Sequence, residues 1–187
     1  MCLNNWGGID HKVLEFHEYV NLFSGKSGSG KSTVMDAIQV ILYGSFSPSF
    51  LNKAADDAKN RRSVLSYLRG EQKDGSANRK DCDFCSVIAL EIEDTGTHII
   101  TCIGIAFEVR KSDSEIKKFV YFSHSGKMPE SEYLTEQGVC YSNQEIKKLV
   151  SARTKSDDNR GKGEVNRIYG SKEAYLCLLY TSPSPRD

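Results

Sequence analysis

The nine residues from Gly25 to Thr33, "GKSGSGKST", constrain this 187-residue chain more than any other stretch. Gly25, Gly30, Lys31 and Ser32 stand at the spacing G-x-x-x-x-G-K-[ST], which is the phosphate-binding P-loop. The spacing has a mechanical basis. Glycines reach positive backbone dihedrals at little cost, so several N–H groups can turn into one concavity that suits an anion. A helix starting at Lys31 brings the positive end of its dipole to the same place. Gly25, Lys26, Ser27, Gly28, Ser29, Gly30, Lys31, Ser32 and Thr33 therefore form the candidate nucleotide-binding set. In it, amides from Gly28 to Thr33 cradle the β-phosphate, Lys31 reaches the β- and γ-phosphates, and the Ser32 hydroxyl is the Mg²⁺ ligand. No residue is assigned to catalysis.

The flanks fit the motif. "YVNLFS", Tyr19 to Ser24, is a short apolar and aromatic run that predicts a strand ending at the loop. "STVMDAIQVILYG" follows, with Val34, Ile38, Ile41 and Leu42 at helical spacing and Gly44 as a stop.

Charge and cysteine usage narrow the class. Lys plus Arg and Asp plus Glu both number 25, so no global field announces a nucleic-acid partner. No run approaches eighteen apolar residues, and no basic-then-apolar leader is present. A cytoplasmic protein with no membrane partner is expected. Of the six cysteines, only Cys82 and Cys85 form a C-x-x-C pair, without the further ligands of a zinc site or the βα context of a redox site. They read as structural or incidental reduced thiols.

Elsewhere "CLNNW" and "HKVLEFHEYVNLFS" read as strands joined at Gly7 and Gly8, and "GSFSPSFLNKAADDAKN" as a polar surface excursion. "RRSVLSYLRG" reads as a short helix ended by Gly70, and "EQKDGSANRKD" as a charged loop. "FCSVIALEIED" and "THIITCIGIAFEVR" predict a hairpin turned at Gly96, and "KKFVYFSHSG" a further strand. "SNQEIKKLVSA" predicts a helix whose Ser142 and Glu145 form a capping box, and "RTKSDDNRGKGEVN" a disordered loop. One domain is expected over residues 1–176.

The last eleven residues, "CLLYTSPSPRD", differ in kind, with clustered prolines and no helical period. They resemble the translation of a transposon-based sequencing adapter. Residues 177–187 are accordingly expected to be a non-native tail that packs against nothing, with the natural protein continuing beyond about Leu176.

"LNNWGGIDHKVLEF", the P-loop with "DAIQVILYG", "NKAADD" and "RRSVLSYLRG" resemble the N-terminal head segment of SMC-like ATPases, in particular SbcC/MukB-like and Wadjet-type ATP-binding proteins. The resemblance spans about Leu3 to Arg110. It implies an α/β P-loop NTPase of ABC/SMC type, here the N-terminal half-head with an antiparallel β subdomain. It also implies ATP and Mg²⁺ as cofactors, a second ATPase head as homodimer partner, and DNA as the substrate of chromosome partition, DNA loading or plasmid defence. Accessory subunits are not specified. The signature loop, the Walker B strand and the catalytic glutamate belong to the C-terminal half in that family, beyond a long coiled coil. Hydrolysis is thus expected only of the full-length ATPase and not of this fragment. Ser27 departs from the Asn that many SMC proteins carry there. An ABC transporter ATPase subunit, a small P-loop kinase and a pure interaction module remain the alternatives.

Individual residues carry weaker readings. Trp6 reads as core packing, with stacking on a base as the alternative. Arg61 and Arg62 are suited to phosphate or to a solvated helix start. Asp36 reads as a surface residue, with orientation of the loop as the alternative. His98 and His124 read as structural. "KKFVYF" reads as a strand with one buried aromatic face rather than a nucleic-acid surface.

Overall fold

Alternation with period two, which places successive side chains on opposite faces of a sheet, organises the molecule. The computed structural model describes residues 1–47, 51, 63–72, 75–156 and 165–180. Six strands form one antiparallel sheet: β1 (Cys2–Trp6), β2 (Ile9–Val13), β3 (Phe84–Glu93), β4 (Ile100–Val109), β5 (Lys118–Ser125) and β6 (Arg167–Tyr169). Their spatial order is β2-β1-β3-β4-β5-β6. Four helices accompany them: α1 (Lys31–Tyr43), α2 (Val64–Arg69), α3 (Asn143–Ser156) and α4 (Lys172–Tyr180). Leu3, Ile88, Ile103, Ile105, Phe107 and Tyr121 point to one face, where α1, α2 and α4 close the larger core. Cys2, Val87, Ala89, Ala106, Val120 and Phe122 point to the other, where Tyr133, Cys140 and the α3 residues Ile146 and Val150 close a smaller one. The result is a mixed α/β architecture around an antiparallel sheet.

Local chemistry accounts for most of the boundaries. Ser63 caps α2 by accepting a hydrogen bond from the Ser66 amide, and Gly70 ends it in the left-handed conformation. At the start of α3 the amide and hydroxyl of Ser142 donate to Glu145 Oε2 at 2.7 and 2.8 Å, while the Glu145 amide returns a bond to Ser142 Oγ. The expected capping box is present. In the turn between β3 and β4, Asp94 Oδ1 accepts from the amides of Gly96 and Thr97 and from the Thr97 hydroxyl.

Several expectations are corrected. β2 stops at Val13, and no strand leads into the P-loop. Tyr19, Val20 and Leu22 are instead 87%, 77% and 88% exposed. A strand exists only where a neighbour takes its backbone groups, and β2 pairs with β1 alone. The polar excursion after Gly44 is not wholly at the surface, because Leu51 is buried and the Phe46 ring packs against Phe107, Phe119 and Tyr121. His98 lies in the exposed β3–β4 turn rather than on a strand. β6 and α4 had no counterpart in the sequence reading. α4 runs through Cys177 to Tyr180, and Leu178 and Leu179 pack against the core. The first residues of the expected tail therefore do make contacts, while 181–187 lie outside the described residues, as does 157–164 of the expected loop.

The thiols fit the structural reading. Cys2, Cys82, Cys85, Cys102 and Cys140 form no disulfide. Burial pushes Cys2 and Cys102 up to about 12 and Cys85 up to about 11, so all three stay protonated and unreactive.

His124 is the one fully buried imidazole. Its Nε2 lies 3.0 Å from the Tyr133 hydroxyl and its Nδ1 3.1 Å from the Ser125 carbonyl. Burial, more than the nearby Arg153 charge, holds it below its ordinary value of 6.5, against the raising effect of the Ser125 carbonyl. A buried neutral imidazole gives way to protonation of the unfolded chain as pH falls. Its contribution is present above about pH 6.5 and is lost as pH drops through the folded value. The urea midpoint of the wild type should decline from pH 7.5 to pH 5.0, and His124→Gln should flatten that decline even where its absolute stability is lower. Parallel slopes for the two proteins would show that His124 does not carry the dependence.

Candidate nucleotide-binding loop

The loop is built from its helix. α1 begins at Lys31 and takes Gly30 as N-cap in the left-handed conformation, with no side-chain cap. Its first turn carries no acidic residue, although carboxylates are favoured at that position by the helix dipole. The amides of the first turn have no helical carbonyl to bond. A thirteen-residue helix thus presents an uncapped, positively polarised end toward Gly25–Ser29, all of which are exposed.

The loop backbone takes the shape the glycines permit. Gly25, Gly28 and Gly30 have φ of 152°, 84° and 88°. A Cβ at Gly25 would stand 2.7 Å from Ser29 Oγ, so a side chain there would displace that exposed hydroxyl and strain a backbone held at positive φ. The Ser29 amide closes a turn on the Lys26 carbonyl at 3.2 Å. The Lys31 ammonium folds back over the loop and donates to the carbonyls of Gly25 and Lys26 at 2.7 and 2.9 Å, with Ser29 Oγ at 3.3 Å. Lys26, Ser27 and Gly28 form the exposed rim, and Ser32 follows Lys31 with its side chain exposed. All nine sequence-selected positions thus belong to one contiguous loop-to-helix junction. Chemically, such a junction can take an anion on backbone donors and a flexible cation.

Behind the junction is a buried knot that sequence reasoning saw only in part. Trp6 is fully buried, and its indole N–H donates to the Thr33 carbonyl at 2.9 Å. Its ring stacks on Tyr67 with centroids 5.2 Å apart. The packing reading therefore holds, and stacking on a base is excluded for this arrangement. The Tyr67 hydroxyl donates to the carboxylate of Asp36, which is buried, so the surface reading of Asp36 is corrected. The Gly7 amide donates to the Tyr67 carbonyl at 2.8 Å. Arg79, read only as part of a charged loop, is buried and donates to the carbonyls of Gly7 and Leu68 and to Asp10 at 2.7 Å. A lone arginine among lysines and aspartates gives no sequence signal of burial. Arg61 and Arg62 lie outside the described residues. "KKFVYF" has the expected alternating strand, with Val120 and Phe122 on one face and Tyr121 on the other. Both of its faces are covered, so more than one aromatic face is buried.

Comparison with known families agrees with this geometry. A family model described as the P-loop containing region of AAA domain matches residues 1–58. That segment holds β1, β2, the loop and α1, and the match supports a P-loop region suited to nucleotide binding. No curated protein matches the chain. None of the helices among the described residues is long and apolar enough to cross a membrane.

Gly7 tests the knot directly. It sits at φ 59°, and a Cβ there would stand 2.5 Å from Thr33 Cγ2. Gly7→Ala should cost roughly 2–4 kcal/mol, from left-handed strain plus overpacking. In a Thr33→Ser background, which removes that methyl, the cost should fall by about 1 kcal/mol or more in a double-mutant cycle. Additive costs would show that the contact does not restrain the helix.

Proposed function

We propose that this chain binds ATP with Mg²⁺ at Gly25–Thr33, as the N-terminal half of an SMC-like ATPase head that acts on DNA. The observation that carries the reading is the uncapped, acid-free start of α1 beneath a glycine loop already gathered around Lys31. Ser32 fits as the single protein ligand to Mg²⁺, since that ion keeps most of its shell as water and phosphate oxygen. When bound, the ion would neutralise charge on the terminal phosphates. The chain's own part is to fix the phosphates, through backbone amides from Gly28 to Thr33 and the Lys31 ammonium.

A half-head is favoured by what α1 and its approach leave uncovered. Met35, Leu42 and Tyr43 are exposed on the helix, and Tyr19, Val20 and Leu22 on the segment that enters the loop. A helix apolar on both sides belongs between two layers, and an apolar run with no strand partner suits the edge of a further sheet. Among the described residues no cluster of His, Cys, Asp or Glu could hold a metal by itself. On this reading the acidic groups that polarise the attacking water, and the homodimeric second head that completes the site, come from the remainder of the ATPase.

Two measurements on the full chain test this. Lys31→Ala should weaken binding of a non-hydrolysable ATP analogue by about tenfold or more, since a charged hydrogen bond contributes about 1.5–3 kcal/mol. The melting temperature should hardly move, because the loop is exposed. Equal dissociation constants would remove Lys31 from the site. Phosphate release with ATP, Mg²⁺ and DNA should stay at background. Steady turnover that disappears in Lys31→Ala would point to a self-contained P-loop enzyme instead.

A further inference from the structure

We infer that the outer face of α3 is a docking surface for the sugar-phosphate backbone of double-stranded nucleic acid. The inference deepens the reading of a DNA-acting ATPase by naming a surface, and it rests on that reading only for the biological role. The chain as a whole is neutral, so a face of one sign is a local departure. α3 buries Ile146 and Val150 against the sheet and turns Gln144, Lys147, Lys148, Ser151, Ala152 and Lys155 outward, where they line a shallow concavity. All six are exposed. No carboxylate stands among them, and among the described residues none of the three lysines enters an ion pair. The one acidic residue of the helix, Glu145, is engaged with Ser142 in the capping box. Lys147 and Lys155 lie two turns apart, about 12 Å along the axis, with the small residues Ser151 and Ala152 between them. A polyanion can therefore approach the helix closely.

The composition of the face selects the occupant. Single strands are held largely by stacking on aromatic rings, and this face has none. A membrane surface requires apolar side chains to enter the interface, and the face offers only Ala152. The adjoining groove shares Lys148 and Ala152 with this face, but it also carries the apolar Leu134, Tyr141 and Leu149 and the carboxylates Glu136 and Glu145, so phosphate is steered to the Lys147 and Lys155 side, away from them. What remains is a row of ammonium groups with short hydrogen-bonding partners. That suits phosphates of an intact duplex without reading its sequence.

The test uses fluorescence anisotropy of the full chain with a labelled 30-base-pair duplex of arbitrary sequence, without nucleotide, across 50–200 mM KCl. Wild type should bind in the micromolar range typical of non-specific contacts, with a log–log salt slope of about −2.7 for three neutralised phosphates. The triple variant Lys147→Gln, Lys148→Gln, Lys155→Gln should lose about tenfold or more in affinity and bring the slope close to zero. The corresponding triple Lys→Arg variant should keep both. Lys31→Ala should leave duplex binding unchanged, and the Gln variant should leave ATP-analogue binding unchanged, which separates this inference from the nucleotide site. No wild-type binding, an unchanged slope in the Gln variant, or tighter binding to a single strand or to polyglutamate would overturn it.

Discussion

One hydrogen bond, from the buried Trp6 indole to the Thr33 carbonyl, sets where the P-loop stands. It joins β1 to the first turn of α1 across 27 residues of sequence, and its donor, the Trp6 indole, is fully buried while Thr33 is half-buried. A buried indole N–H left without an acceptor is expensive, so the register of helix against sheet is strongly specified at that point. Tyr67 from α2, Gly7 from the β1–β2 turn and Arg79 from the segment before β3 brace it. In a strand–loop–helix site the loop is ordinarily steadied from both ends. In this chain no strand enters the loop and Phe23 alone of Tyr19–Ser24 packs against the core, so most of the described support comes from the helix end.

The two faces of the sheet divide the candidate surfaces. α1 and the loop belong to the larger core, while α3 and its lysines belong to the smaller one. An anion at Lys31 and one at Lys147 would therefore sit on opposite sides of the same six strands. Strand alternation makes this arrangement possible, because each strand contributes to both cores at once.

How much of this was legible in the sequence follows from the range of each signal. The P-loop, the Gly44 and Gly70 stops, the Ser142–Glu145 box and the β3–β4 hairpin are written in residues a few positions apart, and all are found. The strand expected at Tyr19–Ser24 fails for the opposite reason, because its apolar pattern is a promise that a distant partner must keep. Phe46, Leu51 and Arg79 look unremarkable in their polar surroundings, and only tertiary packing puts them inside. β6 is three residues long and carries no period. α4 draws its last turn from residues that composition assigns to the tail. Within the site, the nine loop positions were readable as a motif, whereas the knot that places them was visible only as the isolated letters Trp6, Asp36 and "RSVLSYLRG".

The position of the Lys31 ammonium changes what nucleotide recognition by this loop would involve. Its donors already point at the carbonyls of Gly25 and Lys26, so arrival of a phosphate is an exchange reaction, with oxyanion replacing amide oxygen as acceptor. The affinity gained is the difference between two hydrogen-bonded states rather than the whole strength of an ion pair. The glycine backbone already holds the loop's curve, so the rearrangement at encounter falls on the Lys31 side chain, which must leave the Gly25 and Lys26 carbonyls as the phosphate arrives.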